Sequence, residues 1–241
     1  YLRLSGKNVR ETGYTMLNVT LVNPPGFSGY PQPPMGLIQL AAVIESKGHH
    51  VTIIDAGALN LRAADIPPLL EETDVLGLTA MTPTASRAIE IAAEVKNSRP
   101  ELPVILGGPH ATLLPYETME VTQDIDIIVR GEAEESFVTL LRAIEKNGSV
   151  EDVPGIIWEK DGQFVENEAA PYIEDLDALP FLAYHLIPMD KYRPHPPHGR
   201  AFPFAVLITS RGCPYNCAYC SKPVFGRKFR AQSPGRVVDE I

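Results

Sequence analysis

The side chains best equipped for chemistry lie together in one short run. Cys213, Cys217 and Cys220 are all three cysteines of the 241-residue chain, in Arg211-Gly-Cys-Pro-Tyr-Asn-Cys-Ala-Tyr-Cys220. Three cysteines this close build no disulfide framework. Three thiolates on one loop can converge on a single metal centre, and iron–sulfur clusters are held by cysteine thiolates. Three protein ligands on a four-iron cubane leave one iron open to a substrate, as an open position separates catalytic from structural zinc. The competing readings are a structural zinc site completed by a histidine such as His195 or His198, and a set of buried free thiols. Zinc ligands usually come as pairs on two loops, and here all the cysteines share one.

Two glycine-bearing turns form the next candidates, Leu106-Gly-Gly-Pro-His-Ala-Thr112 and Arg130-Gly-Glu-Ala-Glu-Glu135. Adjacent glycines at the carboxyl end of a parallel strand let a bulky ligand lie against backbone, and open α/β sheets bind ligands there. A Gly-Gly pair alone also reads as a tight turn. Asn23-Pro-Pro-Gly26 stands where a GxGxxG fingerprint would follow the first strand, which disfavours nicotinamide and flavin dinucleotides. As a residue, His110 reads first as a loop histidine bonded to backbone. Glu132 and Glu134 read as the acidic start of a helix, and no catalytic residue is assigned.

The elements that must position these residues follow from hydrophobic patterning. Apolar runs at 17–23, 51–55, 75–79, 103–107 and 127–130 predict five strands. Three- and four-residue spacing predicts helices over 37–47, 86–97 and 134–146, with a weaker one over 64–72. Gly48 and Gly148 stand where helix C-caps favour positive φ. The fold class is α/β, a Rossmann-like five-stranded parallel sheet with flanking helices. Periodicity by itself says nothing of chemistry. Runs at 155–159 and 163–166 around Asp161-Gly162 predict a small hairpin excursion. It leads into a proline-rich linker, since six of the 23 prolines fall within 180–203. A further buried strand is expected over 204–210, and Ser233-Pro234 opens a helix. Expected units are an extension at 1–15, the Rossmann-like domain at 16–149, hairpin and linker at 150–200, and a truncated second domain at 201–241. Those last residues amount to one βα unit, and a barrel needs eight of about 31 residues each.

Composition limits the rest. With 44% hydrophobic and 21% charged residues the chain is a globular protein, and its net charge of −9 disfavours nucleic acid as partner. No run of about 18 apolar residues is present and the first residues are polar, so neither a transmembrane segment nor secretion is expected. A cytoplasmic protein is.

Cys213, Cys217, Tyr219 and Cys220 match CxxxCxΦC, with Φ aromatic, and in this the sequence resembles the radical S-adenosylmethionine (SAM) superfamily. The resemblance implies a 4Fe-4S cluster whose open iron is chelated by the amino and carboxylate groups of SAM. One-electron reduction, from a donor such as flavodoxin or ferredoxin, then cleaves the sulfonium to a 5′-deoxyadenosyl radical, with Tyr219 near the adenine. Residues 201–241 would be the first βα unit of a truncated radical SAM barrel. Later barrel strands carry most SAM contacts in that superfamily, so the fragment is expected to bind SAM poorly.

The order of motifs is more specific. Asn23-Pro-Pro, a proline-rich loop, Met35-Gly-Leu37, Gly107-Gly-Pro-His110 and Gly131-Glu-Ala-Glu134, followed by CxxxCxxC, resembles the cobalamin-dependent radical SAM enzymes over about residues 16–241. This implies a corrin on the carboxyl edge of the sheet with its nucleotide tail entering near Gly107 and Gly108. Implied contacts are those two glycines with Pro109 and His110, Thr79, Met81 and Thr82, Met35 and Gly36, and Gly131 and Glu132. One departure stands out: carrier-type corrinoid domains supply an axial histidine from DxHxxG. None of the six histidines here has aspartate two residues earlier, so the lower face of cobalt is expected to lack histidine. Full length, such an enzyme would methylate an unactivated carbon or phosphorus centre of a small molecule, or perform a radical cyclisation; the fragment alone is expected to be inactive. Two rivals stay open, a ligand- or partner-binding Rossmann module with a zinc loop, and a radical SAM enzyme that dispenses with cobalamin. Substrate and oligomeric state are not legible.

Overall fold

A computed structural model describes residues 16–26, 31–194 and 204–241. The expected extension at 1–15 and the zinc candidates His195 and His198 lie outside the described residues. Five buried runs form parallel strands: β1 (Asn18–Asn23), β2 (His50–Asp55), β3 (Val75–Thr79), β4 (Val104–Gly107) and β5 (Ile127–Val129), in the order β2-β1-β3-β4-β5. Alternate residues face opposite layers, as a pleated strand requires. Leu21, Ile105 and Ile127 join the core under α1 (Met35–Ser46), and Val22, Leu106 and Ile128 join the core under α2 (Ala85–Ser98). In α2 the buried residues Ala88, Ile91, Ala92 and Val95 recur at three and four, the stripe of a helix lying on a sheet. α1 is buried continuously from Leu37 to Ile44 because more chain covers its outer side.

The sheet is larger than the sequence suggests. Residues 156–166 do not form a separate excursion: β6 (Ile156–Lys160) and β7 (Gln163–Glu166) add antiparallel strands beside β5, making seven. Unpaired, β5 would present a bare strand edge, and the hairpin removes it. Its turn is as expected, with Asp161 at φ 50° and Gly162 at φ 78°.

Other expectations are corrected locally. The helix expected over 64–72 is two short 3-10 turns, Ala63–Asp65 and Pro67–Leu70, because Pro67 and Pro68 have no amide to donate. The turn after β4 instead carries two helices, α3 (Pro109–Leu113) and α4 (Pro115–Val121), each opening on a proline. After α5 (Ala133–Glu145), Asn147 takes the left-handed conformation at φ 48°, and Gly148 only donates its N–H back to the Ala143 carbonyl. Gly48, by contrast, sits at φ 89° as the cap predicts. Residues 204–209 form no strand, since no described segment pairs with them. Only β8 (Ser210–Arg211) pairs, antiparallel to β9 (Arg230–Ala231). Ser233 caps α6 (Pro234–Glu240) as expected, its Oγ accepting the Arg236 N–H at 3.2 Å.

The chain after β7 returns over the sheet. Tyr192 is 1% exposed and donates its hydroxyl to Asp55 Oδ2 at 2.9 Å. Asp55 Oδ1 accepts from Asn23 Nδ2 and from the Ala58 N–H, each at 3.1 Å. One buried carboxylate thus ties β1, β2 and the returning segment. Among the described residues no helix is long and apolar enough to cross a membrane.

Candidate functional site

Parallel pairing sets the ends of β1, β3, β4 and β5 along one edge, where the connection leaving β1 runs outward to β2 and the connection leaving β3 runs the opposite way to β4. Open α/β sheets bind ligands at such a switch point. A cavity of about 830 Å³ lies there, lined by Asn23, Asp55, Thr79, Met81 and Arg87 among others. Thr79 and Met81 therefore face an open space, and Met81 is 61% exposed. Among the described residues, Gly26 and Gly36 have nothing within 4 Å of where a Cβ would stand, and Gly107 has only the Val129 carbonyl at 3.7 Å.

Gly108 differs from its neighbour. At φ +93° its missing Cβ would stand 2.6 Å from Thr79 Oγ1 and 2.9 Å from the Ala80 carbonyl. Protein already fills the space a side chain would need there, so Gly108 serves the close approach of two strand ends. The next turn is bound to the same loop. The His110 N–H donates to the Ala80 carbonyl at 3.0 Å, and His110 Nδ1 lies 3.2 Å from Thr82 Oγ1. Burial lowers the pKa of His110, with Glu117 opposing more weakly. Pro109 is the first residue of α3, and Met35 opens α1 beside exposed Gly36.

Glu132 is corrected as a ligand contact. Its side chain is 1% exposed, and its two oxygens take a forked pair of hydrogen bonds from Arg230, at 2.7 and 2.9 Å. Oε2 also accepts the Ile173 N–H at 2.7 Å. Its acceptor sites are committed within the protein. Those bonds to Glu132 are the main reason Arg230 is held above its ordinary pKa.

Cys213, Cys217 and Cys220 are free and exposed, and Tyr219 is 94% exposed. The loop that carries them is closed at its base: the Cys213 N–H donates to the Gly226 carbonyl at 3.3 Å, and Lys222 Nζ donates to the Cys213 carbonyl at 3.3 Å. Among the described residues no three His, Cys, Asp or Glu side chains converge tightly enough to hold a metal. The donor set nevertheless fits a cluster in chemistry and number, with three accessible thiols on one loop. Binding would gather them, as metal sites commonly order their own ligands. At the other end of that loop the Val224 carbonyl comes within 3.9 Å of the Cβ position of Gly131, the residue that ends the β5 turn. The cysteine loop thus sits at the same edge as the cavity.

A family model for the B12 binding domain matches residues 27–141. An uncharacterized methyltransferase of Pyrococcus horikoshii is 35% identical over 235 residues, which is 94% of this chain and 50% of the relative. The anaerobic magnesium-protoporphyrin IX monomethyl ester cyclase of Rubrivivax gelatinosus is 33% identical over 219 residues, 87% of this chain and 38% of the relative. The chain belongs to the cobalamin-dependent radical SAM family. It spans at most about half the length of these relatives. The fold agrees: TsrM from Kitasatospora setae, a radical S-adenosylmethionine methyltransferase solved with cobalamin and a 4Fe-4S cluster, superposes with a TM-score of 0.69 at 21% identity, over 93% of this chain and 45% of that one.

Within this cobalamin-dependent radical SAM chain, the B12 match runs from just after β1 well into α5 and so includes the whole glycine-bearing edge. The cavity and the open Gly36 and Gly107 positions fit a corrinoid lying across that edge. Arg211 and Arg230, which join the cysteine loop to Glu132 and Glu134, went unnoticed in the sequence. The available signal was a pair of arginines flanking the loop and a pair of glutamates one turn after β5.

Proposed function

We propose that the chain is the cobalamin- and cluster-binding portion of an enzyme that methylates an unactivated carbon or phosphorus centre of a small molecule, or closes a ring on it. The observation that carries this reading is the position of the cysteine loop, which is closed at Gly226 and whose Val224 carbonyl lies beside Gly131, on the same sheet edge as the cavity and in a chain of this family. When bound, the cluster supplies one-electron reductive cleavage of SAM and cobalamin supplies a methyl carrier. Cys213, Cys217 and Cys220 would hold three irons and leave the fourth to SAM, and exposed Tyr219 is free to stack on its adenine. Thr79, Met81, Met35, Gly36 and Gly107 would face the corrinoid. Gly131 would border it, and Thr82, Pro109 and His110 would brace the adjoining turn. Unpaired exposed thiols suit a reducing compartment, consistent with a cytoplasmic enzyme served by a flavodoxin- or ferredoxin-type donor.

The test is anaerobic reconstitution of the chain with iron and sulfide. The expected product holds about four irons per chain, as a 4Fe-4S cluster requires, with a broad visible shoulder that is lost in Cys213→Ala, Cys217→Ala and Cys220→Ala. Hydroxocobalamin should bind all three variants, because the corrinoid edge lies on the other domain. Stoichiometric zinc in place of iron, or iron content unchanged in all three variants, would overturn the assignment.

A further inference from the structure

The cysteine loop stands on a neck with an electrostatic problem. In the β8–β9 pairing, Arg211 lies opposite Arg230, and like charges directly across an antiparallel pair are unfavourable. Both guanidinium groups are also buried, with side chains 8% and 3% exposed. Two carboxylates from the turn after β5 resolve this. Glu132 takes the fork of Arg230 and lies 3.6 Å from Arg211 Nη1, and Glu134 accepts from Arg211 Nη2 at 2.6 Å. Two positive and two negative groups cancel inside one cluster. Arg230 further donates through Nη1 to the Ile173 carbonyl at 2.6 Å and through Nη2 to the Phe225 carbonyl at 2.9 Å, so two more of its protons tie the linker and the loop itself, while its buried Nε has no partner among the described residues.

We propose that Glu132 and Glu134 are positioning residues that lock the neck of the cysteine loop, and thereby fix the distance between the cluster and the corrinoid edge. This rests on the function proposed above. The geometry carries it because Arg211 is two residues from Cys213, while Glu132 follows Gly131 at the edge. The neck tolerates no slack. The Gly212 Cβ position lies 2.0 Å from the Lys228 carbonyl and that of Gly226 lies 2.7 Å from the Tyr172 ring, so the loop cannot re-seat by sliding. A buried, hydrogen-bonded charge cluster has few alternative arrangements, which suits a device that must specify one position. Lysine would not substitute, since it lacks the planar fork that Glu132 engages.

The experiment uses the whole chain carrying Glu132→Gln, with Arg230→Lys as a second variant and Lys228→Ala, from the exposed Lys228–Glu174 pair, as control. Hydrogen exchange on the unloaded chain should quicken by about tenfold or more across residues 211–231 in Glu132→Gln and Arg230→Lys, while β3 and β4 keep the native rate. After reconstitution, the electron paramagnetic resonance envelope of the reduced cluster should broaden in the same two variants and not in the control. Exchange that stays native, exchange that rises equally in β3 and β4, or an unchanged envelope overturns the proposal. Exchange needs no cluster, so failure of the lock is distinguishable from failure of reconstitution.

Discussion

At the residue scale, Gly107 and Gly108 look interchangeable in sequence and are opposite in role. Gly108 combines φ +93° with a Cβ position 2.6 Å from Thr79 Oγ1 and 2.9 Å from the Ala80 carbonyl. An alanine there meets both backbone strain and a collision, and the backbone carbonyl cannot move aside cheaply. Gly108→Ala is therefore expected to destabilise the fold by ~1–3 kcal/mol. Gly107→Ala should cost less than about 1 kcal/mol, its nearest neighbour being 3.7 Å away, and should weaken corrinoid binding instead. Urea unfolding separates the two, and equal midpoints would refute the division. A binding defect in Gly108→Leu therefore has to be read beside its unfolding midpoint, since the same substitution strains the fold.

At the element scale, the segment after β7 acts less as a linker than as a cover for α1 and β2, held by Tyr192 on Asp55. Tyr192→Phe keeps the packing and removes one donor from a buried carboxylate, at an expected cost of ~1–3 kcal/mol. Burial, and then the neighbouring Asp55 carboxylate, raise the Tyr192 pKa far above its usual value near 10. The unfolded tyrosine then gives up its proton first, so native stability is full below about pH 10 and declines as pH rises beyond it. The phenylalanine variant should lack that part of the alkaline decline in thermal melts, and an identical decline would sink the assignment. The five parallel strands were legible because each is a short continuous apolar run, and the Asp161-Gly162 turn because both residues accept positive φ. The joining of β6 to β5 was not, because a hairpin's sequence does not say which edge it will cover. The expected strand at 204–210 failed for a related reason: an apolar run becomes a strand only where a partner supplies its hydrogen bonds. The cysteines were fully legible as ligands, whereas the arginine–glutamate lock joins residues about 80 to 100 apart in sequence and has no local pattern.

At the scale of the molecule, the question is where the cobalamin-binding unit ends as a folding unit. The B12 match stops at residue 141 and the sequence pattern breaks near 149, yet the core does not. Ile156, Ile157, Ile187 and Tyr192 are each 7% exposed or less and pack into the two cores that sandwich the sheet. At ~1.5–3 kcal/mol for each buried side chain, these four account for a sum comparable with the entire 5–15 kcal/mol stability of a typical domain. Ile127, Ile128 and Val129 would also lose Trp158, Ile157 and Ile156 as partners, leaving an apolar strand edge open to pairing with other molecules. We propose that the folding unit runs to residue 194. A chain of residues 16–194 should then melt cooperatively, remain monomeric on gel filtration and bind hydroxocobalamin. Residues 16–150 should melt over a broad range, bind an apolar dye and associate as concentration rises. Equal cooperativity in the two would place the boundary near 149 and show that the hairpin and the covering segment add nothing essential to the sheet.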